Sequence, residues 1–90
     1  MDGGGATLGF TSQGWSDIEW WMDQDRRTLK RIRQLVTDAR RNPTEGMGAP
    51  ERLRHYPGRN VWSRRITQEH RLVYEVLDGA IVILQARFHY

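Results

Sequence analysis

Asp78-Gly79 stands between two runs that alternate apolar and polar side chains, His70 to Leu77 and Ala80 to about Phe88. An Asp-Gly pair in that setting closes a tight antiparallel hairpin, because the turn demands positive φ and these two residues tolerate it. The feature fixes the relative direction of two strands, and with it most of what the second half of the chain can become. Two more strand signals lie upstream, Glu51 to His55 and Val61 to Ile66. Pro57-Gly58-Arg59-Asn60 turns the first into the second, and Thr67-Gln68-Glu69 leads on to the hairpin. Turn residues at such intervals punctuate a run of antiparallel strands.

The first half has a different period. Thr7-Leu8-Gly9-Phe10-Thr11 is a short strand signal. Thr11 or Ser12 can then cap a helix whose apolar positions Trp15, Ile18, Trp21 and Met22 are spaced as one face. Asp25 can cap a second helix carrying Leu29, Ile32, Leu35, Val36 and Ala39. It must end near Arg41, because Pro43 disfavours helical geometry at Asn42. Asn42 to Pro50 reads as a loop. Helices first and strands afterwards give an α+β class, two N-terminal helices packed on a twisted antiparallel sheet. Ninety residues suffice for one domain. Residues 1–6 read as a flexible N-terminal extension and 7–90 as that single domain.

Period two sorts the sheet faces. Leu72, Tyr74 and Val76 share one face, and Arg71, Val73 and Glu75 the other. On the last strand Val82, Leu84, Ala86 and Phe88 are expected beneath the helices, opposite Ile83, Gln85, Arg87 and His89. Arg71 and His89 then look outward together, joined by Arg65 where the registers agree.

Charge is unevenly spread. Between Arg26 and Arg71 thirteen bases face four acids, a net +9, while the rest of the chain carries −6. Arg26, Arg27, Lys30, Arg31, Arg33, Arg40 and Arg41 lie opposite the apolar stripe of the second helix. A cationic band of this kind fits a polyanionic partner, nucleic acid or an acidic protein segment, and it also fits a solvated helix face. Cysteine is absent, which excludes disulfides, thiolate catalysis and cysteine-ligated metal. His55, His70 and His89 lack ligand spacing and no Asp-x-Asp pair occurs, so neither metal nor cofactor is expected. The early glycines form no phosphate-binding loop. Ser63 sits inside a strand, unlike an exposed nucleophile. No long apolar run and no signal peptide occur, so the expectation is a cytoplasmic protein without a membrane span.

What remains is metal-free acid-base chemistry on a phosphodiester. RNA supplies its own nucleophile, the 2′-hydroxyl. A protein must add a base for that proton, an acid for the leaving 5′-oxygen, and cations for the crowded phosphate. Glu51 can be the base, His89 the acid, and Arg65 with Arg71 the clamp. Taken singly, Glu51 also fits a solvated strand start and Arg71 a structural salt bridge. His70, beside a turn, reads as structural.

Trp62-Ser63-Arg64-Arg65-Ile66-Thr67, Glu69-His70-Arg71-Leu72-Val73-Tyr74 and Ala86-Arg87-Phe88-His89-Tyr90 together resemble the signature of the YoeB/Txe toxins. These are ribosome-dependent mRNA interferases of the RelE superfamily. The resemblance extends through Asp38-Ala39-Arg40-Arg41-Asn42-Pro43, Gly46-Met47-Gly48-Ala49-Pro50-Glu51 and the Trp15 helix, about Phe10 to Tyr90. It implies a compact microbial-ribonuclease-like fold and cleavage of mRNA in the ribosomal A site. It also implies neutralisation by a YefM/Phd-type antitoxin. Its general base falls on Glu51, its general acid on His89, its phosphate-binding arginines on Arg65 and Arg71, and its terminal tyrosine on Tyr90. Arg54, Arg64 and Arg87 are further candidates for RNA or phosphate contact, and the basic helix face would meet ribosomal RNA. Homodimers, and operator DNA reached through the antitoxin, are further expected partners. Arg54 stands where relatives commonly have lysine, and Phe88 where a tyrosine is common. Composition alone also fits a non-catalytic module that blocks the ribosome sterically, or a co-repressor acting with its antitoxin.

Overall fold

The computed structural model describes residues 5–88. In chain order the elements are β1 (Thr7–Phe10), α1 (Ser12–Gln24), α2 (Arg26–Arg41), β2 (Glu51–Arg52), β3 (Val61–Arg65), β4 (Arg71–Leu77) and β5 (Ala80–Gln85). Thr11 caps α1 by accepting the Gly14 N–H. Asp25 serves both helices. Its own N–H donates to the Trp21 carbonyl at the end of α1, and its carboxylate accepts from the Arg27 and Thr28 N–H groups that open α2. The Thr28 hydroxyl also donates to it, and these bonds, that hydroxyl's first, hold the carboxyl below the ordinary aspartate range.

The sheet runs β1-β5-β4-β3-β2. From β2 to β5 each strand is antiparallel to its neighbour in sequence, as expected. β1 is not: it lies parallel to β5, from Thr7 opposite Ala80 to Phe10 opposite Ile83. The sheet is therefore mixed, with the last strand inside it. Two backbone anchors put β1 there, the Thr7 N–H to the Gly79 carbonyl and the Thr11 N–H to that of Ile83. Ala6, which the sequence assigns to a flexible extension, is pinned instead. Its N–H reaches the Arg40 carbonyl at 3.0 Å and its carbonyl accepts from Arg40 Nε at 2.7 Å.

Both helices cover one face. Ile18, Trp21, Ile32, Leu35 and Ala39 pack against Leu72, Tyr74, Ile81, Ile83 and Ala86. A smaller cluster of Leu53, Val61 and Val73, with Tyr56 and Leu84, fills part of the opposite face. The expected facing of β5 is thus inverted over most of its length: Ile81 and Ile83, not Val82 and Leu84, lie beneath the helices. A β-bulge explains why Ala86 nevertheless returns to the helix side. Tyr74 pairs with Ile83 but Val73 pairs with Gln85, so Leu84 is an extra residue that resets the parity.

The buried stripe of α1 also differs from the apolar spacing. It comprises Gly14, Asp17, Ile18 and Trp21, whereas Trp15 and Met22 are exposed. Asp17 is buried because its carboxylate has work there, accepting the Ala86 N–H at 2.9 Å and the Gln13 amide at 2.7 Å. Gly14 is required by close approach, since a Cβ on it would stand 2.2 Å from the Ile83 carbonyl oxygen. None of the described helices is long and apolar enough to cross a membrane.

Gly14→Ala forces α1 away from β5 and is expected to cost about 1–3 kcal/mol. Urea unfolding should show a lower midpoint at unchanged slope; an unchanged midpoint would show that the contact between α1 and β5 is soft.

Candidate active site

The strand registers assemble one polar cluster. Glu51 lies opposite Ser63, Ser63 opposite Val73, and Arg65 opposite Arg71. Alternation then puts Glu51, Ser63, Arg65 and Arg71 on the sheet face turned away from the helices, beside the small apolar cluster. Arg71 is the centre of the group. Its Nε donates to Ser63 Oγ at 3.0 Å, and its Nη2 stands 3.8 Å from Glu51 Oε1. The Arg71 side chain is 13% exposed and that of Glu51 60%. An ion pair this long and this wet is worth at most about 1 kcal/mol, so an incoming anion can compete for the guanidinium. Arg65 is exposed at the end of β3. Its N–H is fixed to the Gly48 carbonyl, and its own carbonyl accepts from Arg31 of α2 at 3.2 Å. Ser63, discounted as a nucleophile in the sequence, is fully buried and serves as the acceptor that aims Arg71. Its sequence signal is parity: it shares the face of Arg65 two residues on.

Arg64, expected among the phosphate-binding cations, is a correction. It is fully buried on the helix side. Its Nε donates to Tyr74 Oη at 2.9 Å, and its Nη1 to Asp38 Oδ2 at 2.7 Å and to the Met47 carbonyl at 3.1 Å. Nη2 donates to the Glu45 carbonyl at 2.8 Å and to that of Asn42. Every N–H of the guanidinium is satisfied, leaving none for RNA. Tyr74 extends the knot by donating to the Pro43 carbonyl, and burial raises its phenol pKa. Asp38 also accepts the Met47 N–H. That bond first, and the Arg64 bond second, hold its carboxyl below the ordinary value. Gly46 at φ +110 passes so close that a Cβ there would lie 2.1 Å from Asp38 Oδ2. The knot thereby folds the loop that delivers Glu51 to β2.

The other expected cations are dispersed. Arg87 stacks between rings, 3.8 Å from the Trp20 centroid and 4.7 Å from that of Phe88, with its Nε buried and unpaired. Arg54 is exposed beyond β2, lining a shallow hollow of about 190 Å³ with Arg52, Tyr56 and Pro57. On α2, Arg26, Arg27, Lys30, Arg33 and Arg41 are exposed. Arg31 and Arg40 are half-buried and tie α2 to β3 and to Ala6. Because Arg31 reaches the Arg65 carbonyl, the basic helix and the arginine pair meet at one end of the sheet.

Beyond β5, side chains take over from the ladder. Trp21 Nε1 donates to the Ala86 carbonyl at 2.7 Å, opposite the Asp17 bond to the Ala86 N–H. The Phe88 N–H donates to His70 Nδ1 at 2.8 Å, and the Phe88 carbonyl accepts from the Arg71 N–H at 3.0 Å. His89 and Tyr90, expected as the acid and its neighbour, lie outside the described residues.

The family model of the YoeB-like toxin of bacterial type II toxin-antitoxin systems matches residues 10–90. The chain belongs to this family. It is 46% identical over 81 residues to Toxin YoeB of Escherichia coli K12, covering 90% of this chain and 95% of that one. Among solved structures it is similar to a YoeB/ParE toxin from Agrobacterium tumefaciens, with a TM-score of 0.87 at 41% identity, covering 93% and 99% of the two chains. YoeB of Staphylococcus aureus is also similar. As a dimer it gives a TM-score of 0.83 and in complex with YefM 0.82, both at 36% identity over 94% of this chain and 98% of that one.

Arg64→Leu leaves a carboxylate, a phenol and three carbonyls without their donor and is expected to cost about 3–5 kcal/mol, measured by chemical denaturation. The acid limb of stability has a defined sign. The Asp38 carboxyl is depressed in the folded chain, so its contribution is complete above the ordinary value of 3.8 and is lost as pH falls through the lower folded value. Asp38→Asn should make the stability curve shallower below that point, leaving the parts due to Asp25 and Glu75, whose carboxyls are also depressed. An unchanged acid limb would remove Asp38 from the account.

Proposed function

We propose that this toxin is an endoribonuclease that cuts mRNA in the ribosomal A site and so inhibits translation. The observation that carries the reading is the cluster on the open sheet face, Glu51 within 3.8 Å of an Arg71 aimed by Ser63, with Arg65 as its cross-strand neighbour. In this reading the Glu51 carboxylate takes the proton from a ribose 2′-hydroxyl. The 2′-oxygen attacks the adjacent phosphorus, Arg65 and Arg71 hold the charge that builds on the phosphate, and the bond to the 5′-oxygen breaks. His89 gives its proton to that leaving oxygen, and Tyr90 positions a base or the phosphate. The chain's own groups supply the acid, the base and the cations, so the reaction is read as metal-independent. Arg26, Arg27, Lys30, Arg33 and Arg41 present a surface suited to ribosomal RNA phosphates. The likeness to the S. aureus complex and dimer supports a YefM-type antitoxin and a homodimer as partners; operator DNA reached through the antitoxin is part of the same reading. A cytoplasmic site of action accompanies this function.

Primer extension on an mRNA, with and without translating ribosomes and with chelator present, tests the proposal. Wild type should give new 5′ ends only with ribosomes, and Glu51→Gln or His89→Gln should each reduce cleavage by about 10²-fold or more. Full cutting by His89→Gln would remove the acid from the mechanism. Rapid cutting of naked RNA would overturn the ribosomal substrate. Toxicity retained by the Glu51→Ala/His89→Ala double variant without new ends would show steric blockade instead.

A further inference from the structure

We infer that His70 is a positioning residue for the proposed cleavage: by accepting the Phe88 N–H at Nδ1 it fixes the backbone of Phe88, the residue that precedes the proposed acid, beside Arg71. The inference rests on the ribonuclease reading above and adds to it a residue that the acid-base scheme does not use.

The regular ladder between β4 and β5 has its last pair at Val73 and Gln85. Past that point the chain is gripped by single bonds, two at Ala86 from α1 and two at Phe88 from His70 and Arg71. Phe88 adopts φ +59, a left-handed conformation that a bulky residue holds only when its surroundings over-determine it. Here both of its backbone groups are taken, the N–H by His70 Nδ1 at 2.8 Å and the carbonyl by the Arg71 N–H at 3.0 Å. A peptide N–H can only donate, so Nδ1 must carry the lone pair, and the imidazole proton sits on Nε2.

The imidazole is itself held in place. The His70 backbone N–H donates to Thr67 Oγ1 at 3.2 Å, and the His70 carbonyl accepts the Ile66 N–H at 2.9 Å. The ring stands edge-on to Trp21 at 4.9 Å and tilted against Phe88 at 5.3 Å. Trp21 in turn donates to the Ala86 carbonyl, so one indole braces both the segment and the histidine that grips it. The next residue is Arg71, whose backbone holds Phe88 while its side chain reaches Ser63 and Glu51. Consecutive residues, His70 and Arg71, thus set the separation between the Phe88 backbone and the Arg71 side chain. An error of about 1 Å in such a separation can cost ~10²-fold in rate.

The test compares His70→Phe, which keeps a ring but has no acceptor, with His70→Asn, whose Oδ1 can stand where Nδ1 stands. Single-turnover cleavage on translating ribosomes should fall roughly 10–100-fold for His70→Phe, with ribosome affinity unchanged, and recover most of the way for His70→Asn. In the wild type, nitrogen NMR should show Nδ1 unprotonated, and the Phe88 amide should be protected from hydrogen exchange. Wild-type cleavage by His70→Phe, or equal losses in both variants that follow their melting temperatures, would overturn the inference and leave the ribonuclease reading standing. An unprotected Phe88 amide in the wild type would overturn it even where the variants fail to fold. Absence of cleavage by the wild type itself removes the ribonuclease reading and the positioning role of His70 with it, and the NMR signals then show whether the bond exists apart from that role.

Discussion

A single buried guanidinium organises this molecule. Arg64 leaves β3 towards the helix side and ends among acceptors from α2, the loop after it and β4. Sinking a charge this far is unfavourable unless a carboxylate and a full set of hydrogen bonds receive it, and Asp38, Tyr74 and the loop carbonyls provide both. The loop between α2 and β2 contains no regular structure. Its path is drawn by what it must offer to Arg64, and Glu51 arrives at the sheet edge as a result. The next residue, Arg65, points from the opposite face of the same strand. One arginine builds the wall from which its neighbour works.

The same adjacency explains what could and could not be read in the sequence. The two caps, the end of α2 and the hairpin at Asp78-Gly79 follow from local chemistry, and each is found where that chemistry puts it. Period-two alternation puts Arg71 on an outward face with Arg65 joining where the registers agree; Glu51 comes to that face through its pairing opposite Ser63, which alternation alone does not supply. Arg64 is not legible: in a cationic stretch, burial depends on acceptors 10–26 positions away, which no local pattern reveals. The facing of β5 failed for a related reason, since one extra residue at Leu84 reverses the parity and a bulge leaves no mark in an apolar run. Nor does a short strand signal state its direction, and the parallel pairing of β1 becomes visible only with Thr11 and Ala6 in place. Asp17 carried a faint clue, an acid on the stripe of Ile18 and Trp21.

The polar face and the helical face divide the labour. One presents the exposed carboxylate of Glu51 and the guanidiniums of Arg65 and Arg71; the other presents cations along α2. Arg31 joins them by reaching the carbonyl of Arg65.

The parallel pairing of β1 with β5 has a consequence in time. Thr11 and Ile83, whose backbones meet, are 72 positions apart in the chain. Synthesis delivers β1 first, yet among the described residues its neighbour in the sheet is β5, the last of the described strands in chain order. Neither β1 nor the segment around Phe88 can settle until that late strand has emerged, and such distant pairings are slow to close. β2, β3 and β4, which gather Glu51, Arg65 and Arg71, precede β5 in the chain, so the polar face can form before β1 finds its partner.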